Sequence, residues 1–329
     1  MPDAADRKRD PGRVLMTQTA AVTPTKHKAK RVGALRSSGR TPIAFLAPAV
    51  FVLFVITIVP FVVEIVLSLL SVELTVPGAP TWLGLKNYAT ALFGDDRFWN
   101  ALRVTFTIII GGVGAELLLG IGLALLLNRL KRSRGVLTSL FLIPVMVAPV
   151  VSGMMWVMIY DDKFGPLNYI IQLLSFGRLH GAAWIGHPGL ATFSIIVADV
   201  WQWTPFIIMI VLAGLQAVPT EMYEAAEVDG AGRWSTLWYI TLPMLTPVLV
   251  IGVLIRFMDS FKLFDLISLV TRGGPGISTE TISFYTYVRG FQQFSLGYTA
   301  ALAFLQLIVI TVAAKLFIGY LNRQRGEAK

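Results

Sequence analysis

The chain has 329 residues, 55% of them hydrophobic and 14% charged, with a mean hydropathy of +0.69 and a formal charge of +9. Soluble domains carry about 25% charged residues, so this balance excludes an ordinary soluble enzyme and implies a polytopic membrane protein. Cysteine is absent and histidine is limited to His27, His180 and His187, which excludes disulfides and thiolate sites and leaves no metal-ligand spacing.

Residues 1–40 hold ten Lys or Arg against three Asp, a net of +7. No aromatic residue is interleaved with these charges, which argues against nucleic acid as a partner. The expectation is a disordered cytoplasmic tail that touches anionic membrane lipid. The apolar run behind the tail carries Glu64 and ends without a small-residue cleavage site, so it does not read as a signal peptide. Met1 and Met16 both stay open as the first residue.

Six apolar spans follow, at about 43–70, 104–128, 136–160, 190–216, 242–266 and 298–321. Each covers a hydrocarbon core of ~30 Å at ~1.5 Å per residue, and each must be helical to satisfy its backbone. Gly111, Gly112, Gly114, Gly120 and Gly122 in the second span would admit close helix contact. The expected fold is all-α: a six-helix membrane domain over residues 41–322, with a loop at 219–243 and a cytoplasmic C-terminus at 323–329. Arg129, Lys131, Arg132 and Arg134 after the second span, and Arg323, Arg325 and Lys329 at the end, orient both termini towards the cytoplasm. The connectors 71–103 and 161–189 then lie outside. Their acidic pairs, Asp95-Asp96 and Asp161-Asp162, have no basic or metal-binding cluster beside them in the sequence.

The connector 217–241 falls inside yet carries only Arg233 against Glu221, Glu224, Glu227 and Asp229. A composition so poor in basic residues suggests selection by a docking partner. Thr220 would cap a first short helix, with Glu221 and Glu224 near its positive end. Ala225 and Ala226 favour helix, and Gly230 permits a turn. A second short helix would run from Arg233 to Ile240, and Leu242-Pro243 would re-enter the membrane.

The run Glu224-Ala225-Ala226, then Gly230 after three more residues including Asp229, then Ile240-Thr241-Leu242-Pro243 after nine, resembles the coupling loop of ATP-binding-cassette importer permeases. Trp201-Gln202-Trp203-Thr204-Pro205-Phe206, Leu212 to Pro219, Phe261 to Asp265 and Thr271 to Pro275 are similar to the carbohydrate-uptake branch of that family. The likeness covers about residues 43–321. Arg272 departs from it, standing where many relatives have glycine. The resemblance implies a type I importer permease of the maltose type in a bacterial inner membrane. It also implies a second, similar permease, two ATPase subunits, an extracytoplasmic solute-binding protein and a carbohydrate-type solute. Oligosaccharides, polyols and glycerol phosphate all stay open as that solute.

Charge inside a bilayer is costly. Arg256, Asp259, Lys262 and Asp265 alternate in sign at three-residue steps, a spacing that would let neighbours pair along a helix. They read either as a gate or polar wall of a translocation path, or as self-neutralised packing against a second permease. Asp199 with Trp201, Gln202 and Trp203 could line a sugar path by stacking and amide hydrogen bonds. Glu116 has no basic residue within a helical turn.

The chain has no G-x-x-x-x-G-K-[ST], zinc-protease or G-x-S-x-G pattern. No catalytic residue and no bound cofactor is therefore expected, with ATP and magnesium placed on the partner ATPases. The alternatives are an ion-gradient-driven secondary carrier, for which Glu116 is thin support, and an integral-membrane enzyme, for which no carboxylate or histidine cluster is present.

Overall fold

The computed structural model describes residues 41–130, 132–178 and 181–326, so the basic tail 1–40 lies outside the described residues. The chain divides into two units. The first, Met1–Phe54, is described only from Thr41, where helix α1 (Thr41–Ser68) begins, and its side chains Leu46, Val50, Phe51 and Leu53 are exposed.

The second unit, Val55–Lys329, holds all the other elements. A two-residue antiparallel pair, β1 (Leu70–Ser71) and β2 (Thr81–Trp82), has Leu70 opposite Trp82. The helices α2 (Lys86–Phe93), α3 (Asp96–Arg129), α4 (Arg134–Met146), α5 (Pro149–Ile159), α6 (Pro166–Leu174) and α7 (Pro188–Ala217) follow. Next come α8 (Thr220–Val228) and α9 (Arg233–Thr236), a π-helical turn at Leu237–Thr241, and α10 (Leu242–Ser260). The chain closes with α11 (Asp265–Val270), α12 (Ile282–Tyr287), a second π turn at Val288–Gln292 and α13 (Leu296–Gly326).

Five helical stretches among the described residues are long and apolar enough to cross a membrane: Leu46–Ser68, Asp96–Arg129, Pro188–Ala217, Arg233–Ser260 and Leu296–Gly319. The expected span at 136–160 is not one helix. It is the pair α4 and α5, bent by 94° at Val147-Ala148. Pro149 cannot donate a backbone hydrogen bond and drives the residue before it out of the helical region. Ala148 accordingly sits at φ −59°, ψ 138°, and Val147 is also extended. Gln202 of α7 donates its amide to the freed Val147 carbonyl at 3.0 Å. The span expected at 242–266 also ends early, at Ser260.

The centre of the second unit is the contact between α3 and α7. A Cβ built on Gly120 would meet Ile207 at 2.5 Å, and one on Gly111 would meet Ile196 at 2.9 Å. One on Gly112 would meet the Asp199 carboxylate at 3.1 Å, whereas Gly114 and Gly122 face open space. Only part of the glycine-rich stretch is therefore needed for close approach. Ile207, Ile208, Val211 and Leu215 of α7 pack with Ala124 and Leu127 of α3 and Leu245 of α10.

Gly120→Ala should lower the stability of the purified chain in detergent by about 1–3 kcal/mol through overpacking. Gly122→Ala should be neutral or slightly stabilising, because alanine is the better helix former. Thermal unfolding of the two variants side by side measures the difference.

Candidate functional site

Three places in the second unit concentrate chemistry. The first is a buried ion cluster where α3, α7 and α10 meet. Arg256 of α10 is 1% exposed and Glu116 of α3 is fully buried. The guanidinium grips Glu116 with two hydrogen bonds of 2.8 Å, from Nε and Nη2. Nη2 also reaches Asp199 of α7 at 3.0 Å, and Nη1 reaches Asp259 at 2.9 Å. The ring of Trp203 lies 4.6 Å from the guanidinium carbon. A planar five-donor group suits this task, since only arginine can serve several carboxylates in one plane. Three carboxylates surround one cation, so the formal charge of the cluster is negative.

The residues expected to line a path divide accordingly. Asp199, Trp203, Arg256 and Asp259 come together, and Glu116 joins them from 140 residues away. Gln202 is buried and holds the α4–α5 break, and Trp201 packs edge-to-face on Trp156 at 5.8 Å. The alternating ladder of charges stops after its first pair. The helix ends at Ser260, so Lys262 and Asp265 no longer lie on one helical face. Among the described residues neither forms an ion pair. A sequence window cannot reveal the Glu116–Arg256 pair, but a lone glutamate and a lone arginine in separate apolar spans do hint at it.

Arg256→Leu should destabilise the chain by about 3–5 kcal/mol, because the buried carboxylates of Glu116 and Asp199, and the partly exposed one of Asp259, lose their counter-ion. Combining it with Glu116→Gln and Asp199→Asn should recover much of that loss. Chemical or thermal unfolding in detergent decides between this and a merely steric effect, which the added amides would not repair.

The second place is the connector between α7 and α10. Pro219, not Thr220, is the N-cap of α8, and Thr220 makes no capping bond. The helix ends in a Schellman motif. The Ala231 N–H donates to the Ala226 carbonyl at 2.9 Å, and the Gly230 N–H donates to Glu227 at 3.1 Å. Gly230 has φ +74°, a conformation that glycine adopts without strain. Ala226 is buried, while Glu224, Ala225, Asp229 and Gly230 are exposed. The expected second helix is α9 plus the π turn, and it runs through Ile240 and Leu242-Pro243 into α10. Sequence reasoning passed over Val228, Trp234, Trp238 and Tyr239. They are between 62% and 88% exposed, a large apolar surface on one connector. Behind it, a cavity of about 610 Å³ is bounded by Asn128 and Arg129 at the end of α3 and by Tyr223, Glu227 and Arg233.

The third place is at the start of α3, the end of the bundle away from that connector. Asp95 caps α3 by accepting from the N–H groups of Arg97 and Phe98 at 3.0 and 3.1 Å. It also accepts from the hydroxyls of Tyr285 and Tyr298 and from Arg289. Asp95 thus has a basic partner, supplied by a residue 194 positions later, which corrects the reading of the Asp95-Asp96 pair as isolated. Burial pushes its carboxyl up, but the tyrosines, the Phe98 N–H and Arg289 outweigh this and hold it below the usual aspartate range. Burial and the neighbouring carboxylate push the Tyr285 phenol up to about 12. Arg97 makes a separate two-pronged bond to buried Glu280, at 2.7 and 2.8 Å.

A carboxyl held below its unfolded value of about 3.9 stabilises the fold above that pH, and the contribution fades as pH falls through the folded value. Wild-type stability should therefore fall below about pH 4, and Asp95→Asn should flatten that part of the profile while costing stability at pH 7. Unfolding measured from pH 3 to 7 checks both.

Residues 116–326 match the family described as the binding-protein-dependent transport system inner membrane component. The trehalose/maltose transport system permease protein MalF of Thermococcus litoralis is 36% identical over 252 residues, covering 77% of this chain and 82% of its own. The trehalose transport system permease protein SugA of Mycobacterium tuberculosis is 32% identical over 288 residues, covering 88% and 91%. The fold is similar to a chain in the crystal structure of a bacterial alginate ABC transporter in complex with an alginate pentasaccharide-bound periplasmic protein. That likeness has a TM-score of 0.72 at 21% identity and covers 84% of this chain and 92% of the other.

Proposed function

Because this chain belongs to the inner-membrane components of binding-protein-dependent transport systems, we propose that it is the permease subunit of an ATP-driven importer for a neutral carbohydrate. The observation that carries the coupling role is the connector 219–243. It is a short helix closed by a glycine turn, with exposed Ala225, Val228 and Trp234, joined without a break to a membrane helix. Glu224, Ala225, Ala226, Asp229, Gly230, Ile240, Leu242 and Pro243 form or brace the surface offered to a separate ATPase. ATP and magnesium are bound by that subunit. The chain performs no catalysis and pairs with a second permease and an extracytoplasmic solute-binding protein. The connector and both termini face the cytoplasm, with Arg129 and Arg134 on the same side.

Motion at α8 has a direct route inward. The helical run Arg233–Ser260 joins the connector to Arg256, a distance of about 35 Å at 1.5 Å per residue. Arg256 grips α3 and α7, so a shift of α10 is shared by three helices. ATP binding by the partner would bias the inward- and outward-open arrangements through this linkage.

The neutral solute is argued from charge. Arg256 is fully engaged by three carboxylates, so the buried cluster offers an anion no free cation, and Lys262 is exposed outside it. Neutral hydroxyls would meet aromatic faces and carboxylate acceptors there. An ion-gradient-driven carrier is set aside: the family is a binding-protein-dependent one, and Glu116, its sole support, is engaged by Arg256.

Gly230→Val forces a β-branched residue into a left-handed conformation in open space, costing about 1–2 kcal/mol locally. The variant should reach the membrane in normal amount but lose co-purifying ATPase and solute-stimulated ATP hydrolysis. Normal ATPase retention and normal uptake would contradict the docking role.

A further inference from the structure

At the end of the second unit opposite the connector lies a cavity of about 610 Å³ that no step above uses. Its size falls within the roughly 300–1,000 Å³ of small-molecule sites. We infer that this cavity binds a pyranose ring of the transported carbohydrate, stacked on Tyr287 and hydrogen-bonded by Arg97, Arg272 and Gln292. The inference rests on the carbohydrate reading and adds a site to it that shares no lining residue with the Arg256 cluster.

Three observations support it. The apolar wall is aromatic: Phe264, Phe284 and Tyr287 line it, and the Phe264 and Tyr287 ring centres are 4.9 Å apart. Phe291, 69% exposed, is stacked on Tyr287 at 5.3 Å and 24° and extends the aromatic surface outward. The electron-rich face of such rings accepts the C–H face of a sugar, and the flat stack suits one ring after another.

The polar wall is preorganised. Nε and Nη2 of Arg97 are fixed by Glu280, which is 1% exposed, while Nη1 is left to donate elsewhere. The loop 271–281 is pinned from several sides. Thr279 bonds the Thr271 hydroxyl at 2.7 Å and the Gly274 carbonyl at 2.8 Å. Asn100 of α3 donates to the Ile277 carbonyl at 2.9 Å, and Thr192 of α7 donates to Ser278 at 3.2 Å. A rim held this firmly loses little freedom when it closes on a ligand.

Arg272 is the third observation. It is exposed, has φ +52°, and has no ion-pair partner among the described residues. Arg272 closes α11, its N–H donating to the Ile267 carbonyl at 2.7 Å, in a conformation that glycine would take without strain. Its guanidinium lines the cavity, where it can donate to hydroxyl oxygens. With Arg97 neutralised by Glu280, the site keeps one net positive charge. It can therefore also accept a sugar bearing one acidic group, more readily than the Arg256 cluster could.

The test begins with cells lacking only this chain and a panel of labelled sugars that includes trehalose and maltose. The sugar whose uptake is lost becomes the probe. A strain that takes up every sugar normally would overturn the carbohydrate reading itself. With the probe in hand, Tyr287→Ala and Phe291→Ala should each raise the apparent KM about tenfold, the loss of one stacking contact. Vmax and the affinity of the solute-binding protein for the assembled transporter should stay unchanged, and Tyr287→Phe should stay within about twofold of wild type.

Arg272→Gly relieves the backbone and so folds at least as well as wild type, yet it too should raise KM. It carries the test if Tyr287→Ala does not reach the membrane. An unchanged KM in Arg272→Gly, or in Tyr287→Ala present at normal level, would overturn the site while leaving the transport role intact. A raised KM traced wholly to weaker docking of the solute-binding protein would overturn it too, and would assign the surface to that protein.

Discussion

The guanidinium of Arg256 is where α3, α7 and α10 are tied together, and the rest of the second unit is arranged around that knot. Its partners come from three separate helices, so none of them can turn or slide alone without exposing a charge to apolar surroundings. The glycines of α3 support the same arrangement by letting α7 approach closely enough for Asp199 to reach across. Packing and charge thus impose one constraint where α3, α7 and α10 meet. Asp259 is the one member of the cluster that remains partly open, with a side chain 44% exposed.

Much of this was legible from the residues in order. Apolar runs located the membrane helices because a span of the required length leaves little room for charge. The fixed spacing around Gly230 located the connector, and the positive φ at that glycine explains why the pattern needs it. Pro144 and Pro149 mark a kink or a helix end in the third span, but a hydropathy window averages over a proline that changes direction without changing polarity, so the 94° size of the bend is not legible there. The charge ladder from Arg256 to Asp265 was over-read because it assumed a helix that in fact stops at Ser260. Pairings such as Glu116 with Arg256 and Asp95 with Arg289 join residues 140 and 194 positions apart. Only the packing of whole helices brings them together, so no local pattern announces them.

The two ends of the second unit solve different problems. At the connector the chain leaves large apolar side chains uncovered, as a surface that is completed by another protein would. At the far end it buries its polar groups in a web of tyrosines, arginines and carboxylates around Asp95 and Glu280. One end leaves apolar surface uncovered and the other is cross-linked within the chain.

The bend between α4 and α5 also bears on how the protein is made. The Val147 carbonyl is released from helical bonding by the break, and its partner Gln202 is translated 55 residues later. During synthesis the third hydrophobic segment therefore emerges before the group that satisfies it. A bare carbonyl is poorly tolerated in hydrocarbon, so this segment cannot settle in its final bent form until α7 has joined it. The bent form of the third segment and the packing of α7 against it are thus one structural unit, joined by a bond between residues 55 positions apart.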